Sequence, residues 1–226
     1  ERQYILTGQK NAETNEAATY APNSGEILSR KESWGVIMAS FFLDPIWWLF
    51  VGWLPLYLFE TYGFGVEEIA TYAWVPYVGA MFGAWFGGIL AGRLIKSGWT
   101  VNKTRKLVIA LGGLIMLVSL LLTIVAASPL IAVLLMAAIL FGFQTAVGNI
   151  QTLPSDFYSG KSVASLAGFA GTAAKLAVVG LNFLIPVITV NSYAPAFAVG
   201  AGLAIMTVLS VLVLCTDIKP LKPKNS

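Results

Sequence analysis

The chain has 226 residues, 57% of them hydrophobic and 11% charged, with a formal net charge of +3. A soluble domain carries about 25% charged residues, so this composition excludes an ordinary water-soluble globule and points to the bilayer. There is no histidine and a single cysteine, Cys215, which excludes a disulfide within the chain and a His/Cys metal site; neither a metal nor a cofactor is expected.

Residues 1–32 are polar, with a Pro22-Asn23-Ser24-Gly25 turn. They hold too little apolar surface to form a core and read as a linker, with a short helix near 27–31. A first membrane span is predicted over about 33–60. Trp34 marks one interface and Trp53, Tyr57 and Tyr62 the other, as aromatic belts require. Asp44 falls about 16 Å into this span at ~1.5 Å per residue, and Pro45 after it is expected to kink the helix. The following turn, 60–68, carries Glu60, Glu67 and Glu68 and no base.

The second span, about 67–95, has Gly79, Gly83 and Gly87 at four-residue spacing, beside a second small row of Ala80, Ala84 and Gly88. Small residues let helix backbones approach closely in lipid, so a packing seam is expected. Stretch 87–106 then joins two uncharged apolar runs and holds Arg93, Lys96, Lys103, Arg105 and Lys106 with no acid. Basic loops are retained on the cytoplasmic side, and this loop orients every other segment.

The third span, about 105–127, is Leu, Val and Ile nearly throughout and reads as a lipid-facing support. Ser128 and Pro129 form a helix start. The fourth span, about 129–153, becomes polar in its inner half through Gln144, Thr145, Asn149, Gln151 and Thr152. The fifth, about 162–188, carries Lys175 near its middle. Gly168, Thr172, Lys175, Val179 and Asn182 make one helical stripe, which lipid would not accommodate, so it is expected to face protein or a water-filled cavity. The sixth span, about 192–216, is apolar, and 219–226 is a basic tail with Lys219, Lys222 and Lys224. The expected fold is therefore an all-α membrane protein, a six-helix bundle over 33–218 with both ends on the cytoplasmic face. Of the fourteen Lys and Arg, only Lys175 falls outside segments read as cytoplasmic. Nucleic-acid binding is not needed to explain them.

The basic loop carries a resemblance. Gly88-x-x-x-Gly92-Arg93, then Gly98, then Arg105-Lys106 resembles the loop motif of the major facilitator superfamily, with Gly92 where the family often has an acid. The wording Gly98-Trp99-Thr100-Val101-Asn102-Lys103-x-Arg105-Lys106 is similar to the anion:cation symporter branch. So are Asp44-Pro45-x-Trp47-Trp48, Trp53-Leu54-Pro55-x-Tyr57-Leu58 and Leu153-Pro154-x-Asp156. The opening Glu1-Arg2-Gln3-Tyr4-Ile5 resembles the start of the long central loop of such symporters. The resemblance implies the C-terminal half of a twelve-helix secondary transporter of the inner membrane. Such a protein moves a small organic anion, such as a hexuronate or another sugar acid, with a coupling proton or sodium by alternating access. Its partner would be an N-terminal six-helix half, which would hold most of the proton-coupling residues; no enzymatic chemistry is implied. The first, fourth and fifth spans would line the cavity, and the third and sixth would face lipid. The rival expectation is a self-sufficient six-helix channel or a structural or sensor subunit.

Intramembrane ionisable groups are functional candidates by default. Asp44 is read either as an ion coupler, as an anchor for a cationic partner, or as local support for the Pro45 kink. Lys175 is read as the counter-charge for an anionic substrate, or as a structural pair with Asp44 or another carboxylate. Gln144, Asn149 and Asn182 are candidate ligands for hydroxyl or carboxylate oxygens, or bonds to a neighbouring helix. Trp47 and Trp48 are read as packing residues before sugar-stacking ones, one of them sharing the Asp44 face, and Trp48 is the candidate substrate contact. Gly88, Gly92, Arg93, Gly98, Arg105, Lys106 and Asp156 are assigned to gating and to the loop motif.

Overall fold

The computed structural model describes residues 22–222. The opening stretch 1–5 and Lys224 of the basic tail lie outside the described residues. Among these, six segments are long and apolar enough to cross a membrane.

Helix α1 (Ser24–Leu28) starts one turn before the expected 27–31, because the Asn23 side chain caps it by accepting from the Glu26 N–H at 2.9 Å. Helix α2 (Lys31–Tyr62) runs continuously through Pro45 and Pro55 and ends at Gly63, whose φ of 69° lies in the left-handed region. The second span is not one helix: it divides into α3 (Val66–Tyr72) and α4 (Val75–Lys96). Pro76 has no N–H to offer the Tyr72 carbonyl, so the ladder breaks there. Helix α5 (Val101–Ile124) begins before the expected 105 because Thr100 caps it, its hydroxyl accepting from the Lys103 N–H at 3.3 Å.

Helix α6 (Pro129–Phe157) begins at Ser128 and Pro129 as the capping pattern requires, and continues past 153 through Pro154. One proline in the last turn removes a single backbone bond, and the Tyr158 N–H still closes onto the Pro154 carbonyl at 2.9 Å. Helices α7 (Lys161–Ile188) and α8 (Ala194–Leu209) follow, the last extended by a π-helical turn, Ser210–Leu214.

Helix α6 is the centre: α4 and α5 pack on its two sides, α7 lies along α2, and α8 closes against α5 and α2. Leu43, Ile46, Met116, Leu120, Ile139 and Leu140 fill the space between them and are fully buried. The seam is real: Gly79, Gly83 and Gly87 lie against the backbone of Ala137, Phe141 and Thr145, with no room for a Cβ on any of them. The Thr145 hydroxyl reaches across it to the Gly83 carbonyl at 3.2 Å.

At the basic end the tail is laced to the bundle. Lys106 Nζ donates to the Thr216 carbonyl at 2.8 Å, the Ile218 N–H to Asn102 Oδ1 at 3.2 Å, and the Leu221 N–H to the Phe157 carbonyl at 2.9 Å. Ile218 is buried beneath these bonds.

Candidate functional site

Asp44 and Lys175 come together from α2 and α7. The Lys175 ammonium donates to Asp44 Oδ2 and forms an ion pair with it. It also lies over the Trp48 ring, 5.4 Å from the centroid. Four residues along a helix return to the same face, so Asp44 and Trp48 present a carboxylate and an aromatic surface to one amine. Trp47 turns the other way and packs in edge and tilted contact with Tyr77 and Phe143, at 6.0 and 5.4 Å.

The pair stands at one end of a cavity of about 380 Å³ between α2, α6 and α7. Val36, Ser40 and Gln151 line it toward the basic end, and Gly171 and Ala174 keep the α7 wall low. Ser40 and Gln151 were not singled out as site residues in the sequence, although Ser40 sits one turn before Asp44 on its face. The Asp44 carboxylate meets the ammonium of α7, not the backbone freed by Pro45. The Lys175 side chain is 61% exposed and that of Asp44 24%. The amine is thus the open member and the carboxylate the sheltered one.

The rest of the α7 stripe is exposed as well: Gly168, Thr172, Val179 and Asn182 all lie on the open side of the bundle. Asn182 is partly engaged. Its Oδ1 accepts from Trp53 Nε1 at 3.4 Å and its Nδ2 donates to the Val178 carbonyl at 2.9 Å.

A second hollow, about 450 Å³, runs between α4 and α6 past Gly88, Gly92, Gln144 and Gly148 to Arg105. Gln144 is half-buried and makes no hydrogen bond among the described residues. Asn149, its predicted companion, has a different setting. It is 3% exposed, its Oδ1 accepts from Arg105 Nη1 at 3.0 Å, and its Nδ2 donates to the Thr145 carbonyl at 3.2 Å. Arg105 Nε also donates to Asp156 Oδ2 at 2.9 Å. Asn149, Arg105 and Asp156 therefore form one knot that ties α5 to the basic end of α6. Arg93 lies exposed on α4, and Lys106 is drawn to the tail. Gly98 takes φ 93°, a left-handed turn that a side chain would strain, and this turn returns the chain from α4 to α5.

At the opposite, acidic end, the Tyr193 hydroxyl donates to Glu60 Oε2 at 2.7 Å above a cluster of Tyr57, Tyr62 and Phe197. Their edge-to-face contacts fasten α8 to α2 there.

Residues 5–181 match the Major Facilitator Superfamily profile. The chain is 32% identical over 219 residues to the hexuronate transporter of Escherichia coli (strain K12), an alignment covering 96% of this chain and 49% of that protein. It is 37% identical over 119 residues to the galacturonate transporter of Dickeya chrysanthemi, covering 52% of this chain and 34% of that protein. It is 28% identical over 189 residues to the probable anion transporter 2, chloroplastic, of Oryza sativa subsp. japonica, covering 82% and 35%. The chain thus spans 49% of the length of the first of these relatives. Its all-α fold of six apolar spans is that of the C-terminal bundle of a major facilitator transporter. The profile match takes in the glycine seam, the Gly88–Arg105 loop motif and both members of the Asp44–Lys175 pair, and with them the chain belongs to the Major Facilitator Superfamily.

Proposed function

We propose that the chain is the C-terminal half of a secondary transporter for a small organic anion, a hexuronate or another sugar acid, carried together with a proton by alternating access. The observation that carries this is the Lys175 ammonium, open to a cavity between α2, α6 and α7 and within the span. A cation in the bilayer interior is costly, by about 2.5–3.5 kcal/mol on insertion scales. An anionic substrate gives that cation a use. Trp48 offers the sugar ring an apolar face beside the amine, Gln144 offers a free amide, and Asn182 extends the polar stripe. Asn149 belongs with Arg105 and Asp156 as a clasp of the inner gate, together with Gly88, Gly92 and Arg93 along the α4 edge. Asp44 carries the coupling proton.

The open face of α7 supports an N-terminal half as partner. Leu176, Phe183 and Val187 are 66, 78 and 71% exposed, and they flank the polar stripe. A wholly lipid-facing surface would not carry that stripe. In this reading the protein sits in the inner membrane, with the 97–100 loop and both ends of the segment in the cytoplasm.

The test is uptake of radiolabelled galacturonate by cells that lack their own uptake system and express the intact gene. The expected result is accumulation that follows an inward proton gradient, collapses with a protonophore and persists when sodium is replaced by choline. It should fall at least tenfold in Lys175→Gln. Uptake no greater than in cells without the gene would overturn the sugar-acid reading. Dependence on sodium instead of protons would reassign the coupling ion.

A further inference from the structure

We propose that the hollow at the acidic end of the bundle is a binding site for an alkylammonium group, held by the Glu60 carboxylate among the rings of Tyr57, Tyr62, Tyr193 and Phe197. The hollow has a volume of about 440 Å³ and is bounded by the ends of α2 and α5, the turn from α7 into α8, and the first turn of α8. It shares no lining residue with the Asp44–Lys175 cavity.

The charge around the hollow is negative. Helices α2, α5 and α7 all end there, and none has a basic residue in its last turn. The carbonyl end of a helix carries about half a negative charge. Glu60 stands in the last turn of α2, where that dipole disfavours an acid. Among the described residues no cation pairs with it; the ion pairs of Glu26, Asp44, Asp156 and Asp217 lie elsewhere. The hydrogen bonds point the same way. Tyr193 donates to Glu60 Oε2 at 2.7 Å, Tyr62 to the Ala126 carbonyl at 3.4 Å, and Tyr57 then to the Tyr62 oxygen at 3.2 Å. Thr123 and Thr189 donate to the Ser119 and Ile185 carbonyls at 2.7 and 2.8 Å. Each of these hydroxyls lines the hollow with its proton already committed, and so offers it lone pairs alone. Glu60 is exposed, and Tyr193 occupies one of its two oxygens. A ligand matched to these acceptors brings N–H donors and a positive charge.

The aromatic lining decides which cation. A hard divalent ion takes about six to eight oxygen ligands, several of them carboxylates. Here one carboxylate stands among four rings. Tyr57 holds the others in edge-to-face contact, at 5.7 Å from Tyr62, 5.2 Å from Tyr193 and 5.2 Å from Phe197. Aromatic rings attract an organic ammonium electrostatically and cover its alkyl part at the same time. The same group occurs on free amines and on the headgroup of an ethanolamine lipid. Leu121, Leu122 and Val125 are 49, 49 and 74% exposed at this end of α5, so an apolar surface suited to lipid adjoins the hollow.

The test is thermal unfolding of the purified intact gene product in lipid nanodiscs, followed by tryptophan fluorescence. In discs of phosphatidylglycerol alone, ethanolamine hydrochloride at about a hundredfold its dissociation constant should raise the melting temperature by about 5 °C. Sodium chloride at the same ionic strength should not. Glu60→Gln, which keeps an acceptor for Tyr193, should abolish the shift. Glu67→Gln, which removes the same charge outside the hollow, should keep it. If Glu60→Gln does not fold, Tyr62→Leu decides: it keeps the carboxylate and should weaken ethanolamine binding about threefold. Discs that contain phosphatidylethanolamine distinguish the sources. Stabilisation by the lipid, lost in Glu60→Gln and leaving nothing for added ethanolamine to do, assigns the site to the headgroup; a shift from ethanolamine alone assigns it to a free amine. No shift from either, an equal shift from sodium, a shift that survives in Glu60→Gln, or unchanged affinity in Tyr62→Leu would overturn the ammonium site.

Discussion

Gly83→Ala measures how closely α4 and α6 approach. A methyl on Gly83 would lie 2.7 Å from the Phe141 Cα and 2.8 Å from its carbonyl carbon, and closer still to the carbonyl oxygen. Ordinary contact begins near 3.4 Å, so the helices must part by about 0.7 Å or more at this point. Every atom in the way is backbone, so no side chain can rotate to relieve the clash. Overpacking of this kind costs about 1–3 kcal/mol. Parting the helices also loosens the Thr145 hydroxyl bond to the Gly83 carbonyl at 3.2 Å, although Thr145 keeps its bond to the Phe141 carbonyl at 2.9 Å. The loss there is at most about 0.5–1.5 kcal/mol. Against both stands the gain from replacing a mid-helix glycine by alanine, ~0.5–1 kcal/mol.

The net expectation is a loss of roughly 1–2 kcal/mol. Gly202→Ala in α8 is the matched control, because nothing lies within 4 Å of its new methyl and only the helix gain remains. Thermal unfolding in detergent, followed by tryptophan fluorescence, reads both. At about 2–4 °C per kcal/mol, Gly83→Ala should melt several degrees below wild type and Gly202→Ala slightly above it. A Gly83→Ala protein that melts at or above wild type while Gly202→Ala rises would refute the backbone contact at the seam.

Arg105→Gln should lower stability by about 1.5–3 kcal/mol, because Asp156 and Asn149 both lose a charged donor. The double variant with Asp156→Asn should lose less than the sum of the two single changes, by about 0.5–3 kcal/mol; strict additivity in thermal unfolding would show that the clasp is not coupled. For orientation, Gly65→Cys and Asn191→Cys should react with an impermeant maleimide from outside intact cells and Ser97→Cys should not, and external labelling at Ser97 would reverse the topology. Cys215, completely buried, should remain unlabelled from either side in native membranes and react only after denaturation, which a labelling gel before and after detergent denaturation checks.

The broad plan of the bundle was legible because its signals are local. A run of about 20 apolar residues has no other stable setting than a span. Small residues at four-residue spacing declare a helix face that another backbone touches. Thr100 and Pro76 are local signals too. They explain why α5 begins early and why the second span divides, and attention to capping and to the missing proline donor would have placed both boundaries.

The site was legible only in part. Asp44 and Lys175 each announced that a charge within a span needs a partner, and pairing was one of the readings open to Lys175. Yet they lie 131 residues apart, and no periodicity links them. Whether they face each other depends on how α2 and α7 are rotated about their axes, and the packing of these two helices along each other fixes those rotations. The same holds for Gln144 and Asn149. Close in sequence and alike in chemistry, they line one hollow and part company because Asn149 meets Arg105 from the neighbouring helix while Gln144 makes no hydrogen bond among the described residues. The tail read as a charge signal, yet Thr216, Ile218 and Leu221 bond to α5 and α6 through backbone groups that every residue carries. An amino-acid string therefore shows which groups must be satisfied, from their charge, polarity and period. Which partner satisfies them follows from helix rotation and approach, and those are properties of the packed bundle as a whole.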